Sequence, residues 1–224
     1  SPSWRRLTSV AGGAIVARRG GEARVGGHER AFEGPGDAMN ALLRMSEGLR
    51  RMLEAVAHAS GWLLVVMAVV TCFDVLARKT GLPVPLTKLQ ELEWHFHAAI
   101  FSLWMGYGYV INAHPRVDSF TEKLTFRRRA WIELAGCLLF ALPYVALVAY
   151  HTVDFVATSY AVGDQSESPF GLTHRWIIKG IYAAGIWLVL LGILSVLARL
   201  IVFLFGGRSE AEVNLQIGST TLEI

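Results

Sequence analysis

Four long stretches of this chain carry almost nothing but apolar side chains, and polar, charged or Gly/Pro-containing segments separate them. They run from about Val56 to Leu76, from about Trp94 to Ile111, from about Trp131 to residue 156, and from about Trp176 to Phe205. A hydrocarbon core about 30 Å thick needs roughly 20 mainly apolar helical residues to cross it. Soluble helices keep a polar face, and four successive segments without one predict four transmembrane helices. The expected fold class is therefore all-α and integral to the membrane: a four-helix bundle within residues 39–207.

The flanks refine this outline. From Asn40 to His58 a helical pattern (Leu42, Leu43, Leu49, Leu53, Val56) carries Arg44, Arg50 and Arg51 on its polar side, which predicts an interfacial lead-in to the first span. Gly81-Leu82-Pro83-Val84-Pro85 breaks the chain. Thr87-Lys88-Leu89-Gln90 then has capping-box spacing and predicts the start of the second helix. After that helix, Val117, Phe120 and Leu124 stand at helical spacing before Arg127-Arg128-Arg129, as in a short amphipathic helix lying on the membrane surface. Pro143 is expected to bend the third span.

Composition agrees with the pattern. Of 224 residues, 53% are hydrophobic and 17% charged, against about a quarter charged in soluble domains. The net charge of +3 does not call for nucleic acid, and the arginines sit beside apolar segments, where they would meet lipid headgroups. Cys72 and Cys137 fall inside spans and form no CxxC motif, so both read as small packing residues. Residues 1–38 are rich in Gly and Arg without helical periodicity and are expected to be a disordered leader; residues 208–224 are expected to be a polar cytoplasmic tail. Arg5-Arg6-Leu7-Thr8 with Val10–Ala17 has the outline of a twin-arginine export signal, but Gly12-Gly13 interrupts its apolar run. The other reading starts the native chain at Met39, with the leader as a gene-start artefact. Loop charge orients the bundle: Arg44, Arg50 and Arg51, then Arg116, Lys123 and Arg127 to Arg129, then Arg199 and Arg208 fall on one side. The positive-inside rule makes that side, and both termini, cytoplasmic. Arg78, Lys79 and Lys88 lie on the other side and weigh against this, whereas Asp164 and Glu167 support it.

Charges in or near spans are costly and require a reason. Asp74 precedes Arg78 by four residues, the favourable order for a helical ion pair. Glu91 shares a helical face with His95, and Glu93 shares one with His97; such pairs could relay protons or bind a metal, but suit contact with a partner protein better. An Asp154–Lys179 pair would hold spans three and four in register. Ala98, Ser102 and Gly106 recur every four residues, and Gly185 and Gly192 are seven apart, which in lipid allows close backbone contact. Trp94, Trp131 and Trp176 stand at helix starts, as an aromatic belt would place them. No nucleophile elbow, Walker A, HExxH or dinucleotide-binding turn is present, so no enzymatic activity, cofactor or metal is expected. Four spans without an ATP-binding motif or paired interrupted helices point to an accessory of a larger partner.

Taken in order, Asp74 and Arg78 ending the first span, Glu91-Leu92-Glu93-Trp94 opening the second, and His114-Pro115-Arg116-Val117-Asp118 after it resemble the small membrane (Q) subunit of tripartite ATP-independent periplasmic (TRAP) transporters, over about residues 50–206. Gly171-Leu172-Thr173-His174-Arg175-Trp176-Ile177-Ile178-Lys179, after Ser166-Glu167-Ser168, resembles the branch associated with 2-oxo acids and related carboxylates, which commonly has Gly-Leu-Pro before its Arg-Trp. The resemblance implies a bacterial inner-membrane protein whose partners are a large membrane (M) subunit, a periplasmic substrate-binding protein and the bilayer. The large subunit would move an organic acid anion by an elevator motion driven by sodium, and the small one would pack on its static scaffold. Glu93 and Trp94 would then anchor the outer end of span two, and Arg116 and Asp118 would fix the cytoplasmic loop. Two other classes compete. A bis-histidine membrane cytochrome would use His97 and His151, and an autonomous small channel or exporter would transport alone.

Overall fold

The computed structural model of the chain describes residues 35–113 and 123–215. These are helical throughout apart from turns and one long loop, with no strand among the described residues. Helix α1, Pro35–Thr80, is a single rod of 46 residues, roughly 69 Å long at 1.5 Å per residue. The expected interfacial lead-in and first span are therefore one continuous helix. Its first turn takes in residues 35–38, which were expected to belong to the leader. No proline interrupts it; Asp37 opens it and Arg78 and Lys79 close it, each complementing the helix dipole. Gly81 stops it in the left-handed region (φ 68°), where the N–H of Leu82 reaches back to the Ala77 carbonyl at 3.2 Å.

Helix α2, Leu86–Val110, starts on Pro85 with no side-chain cap. The carbonyl of Pro85 begins the ladder by accepting from Lys88 and Leu89, so Thr87 lies inside the helix and the expected capping box does not form. Helix α3, Phe126–Gly136, continues through a π turn, Cys137–Ala141, into α4, Leu142–Ala161. Pro143 has no N–H to donate, and its ring presses on the carbonyl a turn before it. The π turn directly upstream is where this rod adapts, with Leu142 donating to Cys137. Helix α5, Trp176–Phe205, and the single turn α6, Glu210–Val213, complete the order. Ser209 and Glu212 cap α6 reciprocally, and Asn214 ends it in the left-handed region.

Helix α5 is the hub. It packs against α1, α2 and α4; α1 and α2 also pack on each other, whereas α4 makes no substantial contact with either. The four long elements thus form a hub with two flanks, not a closed ring. The core follows α5 through Ile193, Leu197, Leu200, Val202 and Leu204 and takes in Ala130, Leu134 and Cys137 from the α3 side. Val213 and Leu215, in the segment expected to be a polar tail, are buried in the same core.

Three helices are long and apolar enough to cross a membrane: Gly36–Thr80, Phe126–Ala161 and Trp176–Phe205. Helix α2 falls below that apolarity because His, Tyr, Trp and Gly interrupt its aliphatic residues. The most apolar window of α5 is 61% buried, but those of α1 and of the α3–α4 rod are only 11% and 17% buried. Most of the apolar surface of those two flanking rods therefore faces outward.

Candidate functional site

Close packing of α2 on α5 positions everything else. A Cβ added at Gly106 would lie 2.7 Å from the carbonyl carbon and oxygen of Leu188. One at Gly185 would lie 2.6 Å from the Ser102 carbonyl oxygen, and one at Gly192 would lie 2.8 Å from that of Gly106. The two small-residue stripes therefore face each other, backbone to backbone, and a side chain on either would push the helices apart. Ser102 is buried and returns its hydroxyl to the Ala98 carbonyl at 2.7 Å; Ala98 itself is half-buried. Tyr109 completes the seam by bonding Cys137 Sγ of the π turn at 2.9 Å.

One end of the molecule, where α1 begins and α5 ends, is tied by a buried polar cluster. Ser46 and Ser195 are fully buried and exchange hydroxyl-to-carbonyl bonds, both at 3.0 Å. Arg199 donates to Ser46 Oγ at 2.7 Å, to the Asn214 carbonyl at 3.0 Å and to Glu47 at 3.4 Å. Glu47 also takes Arg50 and Arg51, and Arg50 reaches Glu54. Arg199 was visible in the sequence only as a charge flanking a span. Its role in joining three elements depends on which segments meet.

The opposite end holds the α1–α2 turn and the 162–175 loop. Glu91 is the latch. Its Oε2 accepts the Leu172 N–H at 2.6 Å and its Oε1 accepts the Ser166 hydroxyl. Gly171 sits where a Cβ would collide with Ser166, so the Ser166 and Gly171-Leu172 motif positions serve to seat this carboxylate. The expected Glu91–His95 side-chain pairing does not occur; His95 Nδ1 bonds the Glu91 backbone carbonyl instead, at 2.6 Å. Lys179 pairs with Asp164 at 2.5 Å and lies 4.5 Å from the centre of the Phe155 ring. The expected Asp154–Lys179 pair is thereby corrected: one residue along a helix turns the side chain by about 100°, so Phe155 takes the α5-facing position and Asp154 stays exposed. Lys179, and then the Ser159 hydroxyl, hold the Asp164 carboxyl below its usual range.

On the α1–α2 side of this end, Asp74 accepts from Arg78 at 2.7 Å. Asp74 is 6% exposed, and its Oδ1 has no hydrogen-bond partner. The Oε1 of Glu93 is likewise buried without a partner. A groove of about 400 Å³ beside it is lined by Met67, Thr71, Glu93, Trp94 and His97. His151 and Asp154 line a different groove, with Phe155 and Tyr182, so the structure does not bring His97 and His151 together. Arg116 and Asp118, and most of the expected surface helix at 117–124, lie outside the described residues.

Against known families, the profile of the DctQ component of tripartite ATP-independent periplasmic transporters matches residues 67–203, from mid-α1 almost to the end of α5. The chain belongs to that family. No curated protein and no solved structure matches it. It is a small membrane subunit of a TRAP transporter, a transporter component rather than a member of an enzyme family, and membership places it in the bacterial inner membrane. Family membership also implies association with the large M subunit and a periplasmic binding protein. Among the described residues of this TRAP subunit, no three His, Cys, Asp or Glu side chains gather as a metal site.

Proposed function

We propose that this chain is the small scaffold subunit of a sodium-driven TRAP transporter, packed against the static part of the large subunit, and that the transporter imports an organic acid anion of the 2-oxo acid or a related carboxylate class delivered by the periplasmic binding protein. What carries the reading, beside the family match, is the imbalance of burial: α5 is mostly covered by its own chain, while α1 and α4 turn long apolar faces outward. Such faces suit both lipid and the large subunit, and a wedge of this shape would widen the scaffold in the bilayer. Helix α2 is the fourth span. Its 25 residues measure roughly 37 Å, enough for the hydrocarbon core, and α1 and α5 shield the face that carries its small residues. The Arg199 end is cytoplasmic, with both termini, and the Glu91 end periplasmic, by the charge of the flanking segments. Glu93 and Trp94 anchor the outer end of α2 to the partner, and Arg116 and Asp118 fix the cytoplasmic loop.

Reconstitution tests this. Proteoliposomes holding this chain alone should pass no organic acid, even with a sodium gradient and the binding protein. Adding the large subunit should give sodium-dependent uptake. Flux through the chain alone, or uptake by the large subunit undiminished when this chain is left out, would refute the scaffold role.

A further inference from the structure

The groove between α1 and α2 at the Glu91 end carries an electrostatic debt. Glu93 lines the groove, and on α1, outside that lining, Asp74 and Arg78 pair with each other, the guanidinium close enough to feel the Glu93 charge as well. Arg78 reaches only one oxygen, Asp74 Oδ2, and the buried Oδ1 of Asp74 and Oε1 of Glu93 are left without donors. Buried carboxylate oxygens are normally paired, and an unpaired one within a membrane-spanning region is costlier still. The pattern of exposure around Glu93 is that of a contact surface. Trp94 is 71% exposed and continues along α2 into exposed His97 and Phe101, and Met67 and Thr71 form the facing wall one turn apart on α1. Aromatic and methionine side chains around a desolvated charge are what the centre of a protein interface uses.

We propose that this groove receives a lysine or arginine borne on a membrane helix of the large subunit, with Glu93 as its principal acceptor and Trp94 as the apolar cover. The inference rests on the scaffold reading and adds to it the place and the chemistry of the contact. The local charge count selects the occupant: two acids and one base leave one negative charge, which a single cationic side chain neutralises. Its stem would lie along Met67 and the Trp94 ring, with the head group at the Glu93 side chain. The hydroxyl of Thr71 and the ring of His97, which line the same groove, supply further polar contacts.

The test uses the co-expressed complex of this chain with its large subunit, purified into lipid nanodiscs through a tag on this chain. Glu93→Gln keeps the shape of the side chain and removes its charge; the large subunit recovered per copy should fall about tenfold or more, and Glu93→Asp should restore part of it. Equal recovery from wild type and Glu93→Gln would overturn the proposal. A photoreactive phenylalanine analogue at position 94, in a chain otherwise wild type, reads the same contact without depending on the folding of the Glu93 variants. Irradiation should link it to a peptide of the large subunit that contains a lysine or arginine within a membrane helix. An adduct confined to lipid, to a second copy of this chain, or to a helix without a basic residue would refute the proposal while leaving the scaffold role standing. A wild-type chain that retains no large subunit at all would instead remove the scaffold role, and this contact with it.

Discussion

The Gly106 seam allows a matched pair of substitutions to isolate one energy. In Gly106→Ala the new methyl would lie 2.7 Å from the carbonyl carbon and oxygen of Leu188, where ordinary contacts begin at 3.4 Å. The shortfall is 0.7 Å (3.4 minus 2.7), and the obstacle is backbone, which no rotamer change can move aside. The helices must separate, and the same seam holds Gly192 2.8 Å (as a built Cβ) from the Gly106 carbonyl, so loosening spreads along it. Overpacking of this kind costs about 1–3 kcal/mol, while replacing a helical glycine by alanine returns up to about 1 kcal/mol. Gly106→Ala should therefore be destabilised by up to about 2 kcal/mol net of the full propensity gain. Gly108, on the same helix, has nothing within 4 Å of its would-be Cβ, so Gly108→Ala gains the propensity term alone. Their difference cancels propensity and leaves the steric cost. Unfolding in mixed detergent micelles, followed by tryptophan fluorescence, should separate the two midpoints. In thermal unfolding each kcal/mol corresponds to about 2–4 °C for a chain of this size. If Gly106→Ala proves as stable as Gly108→Ala, α2 and α5 do not touch at Gly106 and Leu188, and the hub arrangement fails.

Arg199→Ala strips the buried donors from Ser46, Glu47 and the Asn214 carbonyl and should cost about 3–5 kcal/mol, against at most about 0.5 kcal/mol for the exposed Arg51→Ala; the same unfolding assay compares them, and equal losses would contradict the burial of Arg199. Glu91→Ala unlatches Ser166 and Leu172, so protease added to that side of membrane vesicles should cut within 163–173 markedly faster than in wild type, with the fold otherwise intact. Acidification should release the same loop. Asp164 has a lowered folded pKa because of Lys179 and Ser159, so its contribution is complete above the unfolded value of about 3.9 and disappears as pH falls through the lowered one. Hydrogen-exchange protection of amides near 164–175 should thus hold from neutral pH down to the carboxylate range and then drop, and Asp164→Asn should lack the part of that drop that Glu91 does not supply.

Much of the architecture was legible in the pattern of side chains because lipid imposes a length and an apolarity that only long helices meet. Spans one, three and four emerged from that rule; the family was legible separately, through the resemblance that the profile match bears out. Local chemistry was a poorer guide at the boundaries: Thr87-Gln90 has the spacing of a capping box, yet the restricted Pro85 starts the helix first, and residues 40–58 read as an interfacial lead-in because their polar side gives no sign that they run on in one rod with the first span. Pairing was illegible for a different reason. Asp154 and Asp164 are both mates for Lys179 by charge, and the choice fell to Asp164 because the loop folds back while Phe155 takes the position facing Lys179. Likewise Gly106 and Gly185 announce close contact without naming the neighbour, and Arg199 looks like a topological marker until Ser46, Glu47 and Asn214 converge on it. Periodicity and transfer free energy act on each segment alone and so can be read along the chain. Contacts between segments depend on how rods meet in three dimensions, and only the tertiary structure decides which carboxylate oxygens are answered and which, like Glu93 Oε1, are buried without a donor.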